Sequence, residues 1–346
     1  MKNLIMTGGG SAGHVVPNIA LIPALKEDFN IAYIGSDGIE RELMKGRGVP
    51  YYTVRCAKFV RGSLLKNIGL PYRFCRSVFA AKRALAAAKA DIVFSKGGYV
   101  ALPVVIAAKR MGIPVLSHES DLSAGLANRI IAKRCKIVLT SFPETAKKLK
   151  NGEYSGSPVR AELLRGDRGK ALERYGFSGQ KPVLLLFGGG SGSMAINRAA
   201  EGAMPEILKT FDVLHIRGNH AGPEKQRGYL PLAYENDMAS AYAAADFVIS
   251  RAGSNTVFEL IALKKPALLV PLENKRSRGD QVENALYFKR RGLCRVLREA
   301  DLSPESLLAG LRTLAADAAL RRNLAAANFC AGNGTIAAKI RETAGI

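Results

Sequence analysis

Two textures alternate along the chain. Short runs of aliphatic and β-branched residues are separated by longer stretches in which apolar residues return every three or four positions. The first texture predicts strands buried on both faces and the second predicts helices that cover them, so their alternation implies parallel sheets with crossover helices. In the first half the strand runs are "NLIMT", "IAYIG", "YYTV", "DIVFS", "IPVLS", "KIVLT" and "GEYSG", and helical spacing falls in "HVVPNIALIPALKE", "VVIAAKRMG" and "GLANRIIAKR". At "GEYSGSPVRAEL" the composition turns to small and turn-forming residues, and "VLLLF" then restarts the cycle, which predicts a boundary near Pro158. "FDVLHIRG", "ADFVISRAGSNTVFELIALKKP" and "ALLVPLENKRSRGDQVENALYF" continue it. The expected architecture is α/β, with two Rossmann-like domains at 1–158 and 159–330 and an alanine-rich helical segment, 331–346, packing back onto the first. A chain of 346 residues suits two such domains and a cleft between them.

The chemistry is concentrated where strands give way to helices. In "MTGGGSAGH", Gly8, Gly10 and Gly13 fit G-x-G-x-x-G. Glycines so spaced let the backbone turn tightly and approach a phosphate, whose charge is met by N–H groups and a helix N-terminus. The same pattern serves dinucleotide-binding oxidoreductases, and Asp37 lies where an acid for a ribose would sit. His14 is expected in the first turn of the following helix, where the positive end of the dipole disfavours imidazolium and leaves a neutral ring able to act as general base. The alternative is a capping or packing histidine. "LFGGGSGS", with Gly188 to Gly192, repeats the design in the second half. Two such loops suit two phosphorylated ligands, or one long ligand. In "SRAGSNTVFE", Arg251 can supply charge and Glu259 can accept both hydroxyls of a ribose, or else stand as an exposed helix residue. "SRGDQVENA" offers Asp280, Gln281 and Asn284 as an array suited to sugar hydroxyls, and "SHESDLSAGLANR" clusters His118, Glu119 and Asp121 after a strand.

Charge narrows the partners. The net charge is +22, and no acidic residue occurs between Glu42 and Asp91, where eleven Lys and Arg residues fall. Within segment 55–89 these cations interleave with Leu64, Leu65, Ile68, Leu70, Phe74 and Phe79, a combination suited to an anionic membrane surface or to an ordinary basic helix with its apolar side on the core. There is no Trp, and no aromatic stripe accompanies the charge, so nucleic acid is not expected. Five cysteines without C-x-x-C spacing predict neither zinc nor disulfides. The first apolar run breaks into glycines at once, as a strand does and a signal peptide does not, which predicts a cytoplasmic protein.

Taken in order, "GGSAGHVVPNIAL", "SKGGYVALPVVIAAKRMGIPVLSHESDLSAGLANR", "SPVRAEL", "FGGGSGSMAIN", "AAADFVISRAGSNTVFE" and "RGDQVENA" resemble the MurG family of GT-B glycosyltransferases, family 28, across nearly the whole chain. The resemblance implies a GT-B fold with two parallel sheets facing across a cleft. It also implies an inverting hexosyltransferase, independent of metal and cofactor, that moves N-acetylglucosamine from UDP-GlcNAc to the MurNAc C4 hydroxyl of lipid I, undecaprenyl-diphospho-MurNAc-pentapeptide, giving lipid II in peptidoglycan synthesis. Such an enzyme works peripherally at the cytoplasmic face of the plasma membrane. By the same resemblance Ser11, Ala12 and Gly13 face the acceptor diphosphate and donor sugar, His14 is the base, and Arg160 sits by the nucleotide. Gly190 or Ser191 meets the donor phosphates and Glu235 the uracil through its backbone. Ser254, Asn255, Thr256, Val257 and Phe258 line the diphosphate, Glu259 takes the ribose and Gln281 the GlcNAc hydroxyls. Two positions depart from the family pattern. The serine of G-G-S-x-G stands one place later, at Ser191, and H-E-x-N ends in Asp121, which can accept from a sugar hydroxyl but cannot donate. A diacylglycerol glycosyltransferase, a non-catalytic nucleotide-sugar binder and an NAD(P)-dependent oxidoreductase are the rival readings.

Overall fold

The computed structural model describes residues 1–57, 59, 67–190, 192–273, 278–327 and 331–346. Ser191, Lys58, Arg61, Leu64, Leu65, Lys66 and Cys330 lie outside the described residues. The chain divides into two compact units, one of Met1–Arg160 with Cys330–Ile346 and the other of Ala161–Phe329. The division falls two residues beyond Pro158.

In the first unit the order is β1 (Lys2–Thr7), α1 (Val16–Leu25), β2 (Phe29–Gly35), α2 (Ile39–Met44), β3 (Tyr51–Thr53), α3 (Leu70–Ala87), β4 (Ile92–Ser95), α4 (Gly98–Arg110), β5 (Val115–Glu119), α5 (Leu126–Ala132), β6 (Ile137–Thr140), α6 (Pro143–Lys147) and β7 (Gly152–Tyr154). The sheet runs β3-β2-β1-β4-β5-β6-β7 with every pairing parallel. Alternate residues of β1 serve opposite faces. Leu4 and Met6 join the cluster of Leu21, Leu25, Phe29 and Tyr33, whereas Ile5 joins Val78, Leu85, Val93 and Val104. Each buried Leu or Ile contributes roughly 1.5–3 kcal/mol, which is why these strands read as unbroken apolar runs.

The second unit repeats the plan with α7 (Arg168–Tyr175), β8 (Val183–Phe187), α8 (Met194–Thr210), β9 (Asp212–Ile216), β10 (Tyr229–Leu232), α9 (Met238–Ala244), β11 (Phe247–Ser250), α10 (Ser254–Ala262), β12 (Ala267–Leu269), α11 (Asp280–Arg290), β13 (Arg295–Val296), α12 (Pro304–Ala316) and α13 (Ala318–Ala326). Its sheet order is β10-β9-β8-β11-β12-β13, again parallel throughout. The last helix, α14 (Asn333–Ala344), belongs to the first unit. Its Ile336, Ala337, Ile340 and Ala344 enter the cluster under α1, Asn333 donates to the Ala20 carbonyl at 2.9 Å, and Arg341 pairs with Asp28 at 2.7 Å.

Helix α3 differs from its neighbours. Ser77, Val78, Ala81 and Leu85 face inward, while Tyr72 and Phe79 are about two-thirds exposed and Arg76 lies over the Tyr72 ring. Positions 72, 76, 79 and 83 follow helical spacing and form one aromatic and cationic stripe. No helix among the described residues is long and apolar enough to cross a membrane.

Candidate functional site

In an open parallel sheet, ligands gather beyond the carboxyl ends of the strands where the strand order reverses. The reversal lies between β1 and β4 in the first unit and between β8 and β11 in the second. Both glycine-rich loops fall there: Gly8 to His14 leaves β1, and Gly188 to Gly192 leaves β8.

The first loop abuts the turn after β4. A Cβ on Gly98 would lie 2.4 Å from the Gly9 carbonyl and 3.3 Å from His14 Nδ1, and Gly98 has φ +82°, so only glycine fits. His14 stands at the end of a tight 3-10 turn, Ala12–His14, two residues before α1 begins, and so outside the first α-helical turn where it was expected. The reason is local: His14 N–H bonds to the Ser11 carbonyl and Val15 N–H to that of Ala12, an i→i+3 pattern that must end before the α-helix starts. The half-buried imidazole meets the Ser11 hydroxyl at 2.9 Å through Nδ1.

Under this loop lies a residue that sequence reasoning missed. Glu40 is fully buried and accepts from Gly10 N–H at 3.2 Å, from Ser36 N–H at 2.9 Å and from the Ser36 hydroxyl. Tyr33 donates to the Gly8 carbonyl at 2.7 Å. Asp37, the candidate ribose acid of the oxidoreductase reading, is exposed and paired with Arg41 at 2.5 Å.

Beside it, at the ends of β4 and β5, Lys96 and His118 are buried together. His118 Nε2 sits 2.9 Å from the Gly156 carbonyl. Nε2 therefore carries the proton, and Nδ1 accepts from the Lys96 ammonium, which also donates to Ser120 at 2.7 Å. Burial pushes Lys96 down and Glu119 up from their usual ranges, and burial with the Lys96 charge holds His118 well below its own. Glu119 is held by Asp121 N–H at 2.9 Å and Asn128 at 2.7 Å, and Asn128 in turn accepts from Gly98 N–H at 3.0 Å. Asp121 is thus fixed through its backbone to the same network that shapes the turn beside His14.

In the second unit Gly192 has φ +75°, and a Cβ there would lie 2.2 Å from the Arg217 carbonyl. Ser193 caps α8 by accepting from Ile196 N–H, and Gly190 is exposed at the loop's tip. The loop thus precedes a 17-residue helix whose first N–H groups point toward it. A buried network supports it, again unseen in the sequence: Tyr229 and Asn197 flank His215 at 3.2 and 3.1 Å, and Asn197 donates to the Arg217 carbonyl at 3.0 Å.

The junction of β11 and α10 places the remaining residues. Ser254, Val257, Phe258 and Glu259 are buried, while Asn255 and Thr256 are half-buried. Val257 and Phe258 are core side chains, and Val257 N–H is bonded to the Gly253 carbonyl at 3.1 Å, so the donors of this junction are the N–H groups ahead of them. Glu259 is no exposed helix residue: Tyr242 donates to its carboxylate at 3.1 Å. The Arg251 guanidinium is committed to the carbonyls of Val270 and Pro271, each at 3.2 Å, and to Glu299. The charge expected at a phosphate is instead spent clamping the chain after β12, because that chain brings two carbonyls and an acid to it. Gln281 Oε1 accepts from Leu272 N–H at 3.0 Å, which leaves the amide's donor side for a ligand. Glu235 is buried, with its carboxylate taken by Tyr175, Arg174 and Asp237 N–H, so a ligand there meets its backbone alone. Arg160 is half-buried at the end of the first unit's main stretch.

Two Rossmann-like units with parallel sheets, each with a glycine loop at its switch point and a helix N-terminus behind it, are the architecture of the GT-B class. Residues 4–140 match the glycosyltransferase family 28 N-terminal domain and residues 183–340 the family 28 C-terminal domain, so the chain belongs to glycosyltransferase family 28. It is 45% identical over 325 residues, 92% of each protein, to the UDP-N-acetylglucosamine--N-acetylmuramyl-(pentapeptide) pyrophosphoryl-undecaprenol N-acetylglucosamine transferase of Lachnospira eligens. The protein of the same name from Clostridium kluyveri is 45% identical over 322 residues, 91% of each. Among solved structures, that of Acinetobacter baumannii MurG superposes with a TM-score of 0.74 at 25% identity, covering 99% of this chain and 100% of that one. The oxidoreductase reading is thereby set aside.

Proposed function

We propose that the chain transfers N-acetylglucosamine from UDP-GlcNAc to the C4 hydroxyl of MurNAc in lipid I, with inversion at the anomeric carbon and without a metal ion. The observation that carries this reading is the pair of switch-point glycine loops in a chain 45% identical, over 92% of its length, to a transferase of that name. In this reading the first unit takes the lipid-linked acceptor at Ser11, Ala12, Gly13 and His14, with Asp121 nearby, and the second takes UDP-GlcNAc.

The acceptor hydroxyl attacks the anomeric carbon, the bond to the UDP oxygen breaks, and His14 Nε2 receives the hydroxyl proton. For that, Nδ1 must carry the ring's own proton and donate it to Ser11 Oγ, a direction that the 2.9 Å Nδ1–Oγ contact allows. Charge developing on UDP is met by backbone N–H groups in the first turn of α10, Ser254 to Thr256, ahead of Val257, whose N–H bonds to the Gly253 carbonyl at 3.1 Å, and at the Gly190 loop, preorganised donors that need no cation. Glu259 holds the ribose, Gln281 the sugar hydroxyls, and the backbone of Glu235 the base, with Arg160 beside the nucleotide. Arg251 acts on this site through the chain it clamps.

The exposed Tyr72, Arg76 and Phe79 stripe of α3, within the acid-free segment 55–89, supports peripheral attachment to anionic lipid at the cytoplasmic face of the membrane. The test is UDP release from UDP-GlcNAc with and without a short-chain lipid I analogue. Release is expected only with the analogue, and release that ignores it refutes the assignment.

A further inference from the structure

Glu40 is a costly residue for its position. It is a carboxylate of zero exposure, satisfied by three donors and no cation among the described residues, beneath a loop read above as facing an anionic acceptor. A buried charge without a counter-charge is unfavourable, and a negative charge under an anion site opposes the ligand's own. Charge balance therefore does not account for it.

Geometry does. Glu40 Oε1 gathers the N–H and hydroxyl of Ser36, and Oε2 takes the N–H of Gly10, so one side chain ties the turn after β2 to the glycine loop after β1. The Ser36 turn is itself pinned by Tyr51, whose hydroxyl donates to the Ser36 carbonyl at 2.5 Å. The fit is close: a Cβ on Gly9 would fall 2.7 Å from the Glu40 carboxyl carbon. A run of three glycines has no side chains with which to fix its own shape. The bond also removes the Gly10 N–H from ligand binding, so the loop's anion-binding face begins at Ser11.

We propose that Glu40 is the positioning residue of the acceptor loop, holding Gly10 so that Ser11 to His14 are presented to an anionic acceptor in one fixed arrangement. The inference rests on the acceptor reading given above. It also makes a prediction whose sign opposes simple electrostatics. In Glu40→Gln the carbonyl oxygen stays with the two converging donors of Ser36, and the amide group turns a donor toward the Gly10 N–H, so one bond is severed while the side chain's size is kept. Removing a negative charge alone would tighten an anionic acceptor; releasing the loop weakens it.

The experiment measures initial rates of UDP release with the full chain, varying a short-chain lipid I analogue at saturating UDP-GlcNAc and then the donor at saturating analogue. Glu40→Gln is expected to raise the acceptor KM about tenfold, the scale of one hydrogen bond to a charged group, and to leave the donor KM unchanged. An unchanged or lowered acceptor KM, or equal losses on both substrates, overturns the assignment. Independently of any variant, the Gly10 amide of the wild-type chain should exchange with deuterium more slowly than that of Ser11, although Gly10 is exposed. Fast exchange at Gly10 equally overturns it. Lack of analogue-dependent turnover in the wild type would instead remove the acceptor reading itself, a different and recognisable failure.

Discussion

Acid should weaken the second unit through one histidine. His215 has no exposure, and its two ring nitrogens are both engaged, by Tyr229 at 3.2 Å and Asn197 at 3.1 Å. Burial first, and the Arg217 charge second, push its pKa from 6.5 to about 3. Between those values the unfolded chain binds a proton that the folded chain refuses, so stability is complete above pH 6.5 and is lost as pH falls toward 3. Each pH unit in that window costs about 1.4 kcal/mol, which makes the loss between pH 7.5 and pH 5 about 2 kcal/mol. The assay is urea unfolding at both pH values for the wild type and for His215→Gln, which keeps a donor for Asn197 and cannot titrate. The substitution carries a constant cost of its own, so the comparison is between pH dependences. His118, buried in the other unit, titrates alike in both chains and cancels. The wild type should lose about 2 kcal/mol more than the variant over this interval. Parallel losses would mean that the folded His215 takes up its proton as readily as a solvated one, and would refute the burial argument.

Three further outcomes are expected. His14→Gln should lower kcat by about 10²- to 10⁴-fold, the usual worth of a general base, while UDP binding measured by calorimetry stays unchanged; near-full turnover would exclude His14 as the base. Gly192→Ala forces a positive φ and a contact with the Arg217 carbonyl, and should cost about 1–3 kcal/mol in urea unfolding and raise the KM for UDP-GlcNAc, whereas a neutral result would mean that the loop shifts freely. Phe79→Glu on α3 should reduce co-sedimentation with anionic vesicles yet leave turnover of a water-soluble acceptor analogue intact, and loss of both together would point to damaged packing.

What the sequence determined by itself is the part written locally. Strands buried on both faces must be continuous aliphatic runs, so β1, β2, β4, β5, β6, β8 and β11 were legible. Turns that bring backbone close to backbone admit no side chain, so both glycine loops were legible as well. The edge strands β10, with Pro231 inside it, and β13, of two residues, have no comparable signal, because an edge needs neither two apolar faces nor every N–H. Only the tertiary structure decided which side chains serve the loops. Glu40 takes the Gly10 N–H from 30 residues away, Asn128 takes the Gly98 N–H of the neighbouring turn from 30, and Asn197 holds the Arg217 carbonyl beside Gly192 from 20, because the strand order brings distant carboxyl ends together at the two switch points. The same juxtaposition turned Arg251 from a free charge into a clamp and buried the side chains of Val257 and Phe258. Partners of this kind follow from pairing between distant strands, and no periodicity along the chain encodes them.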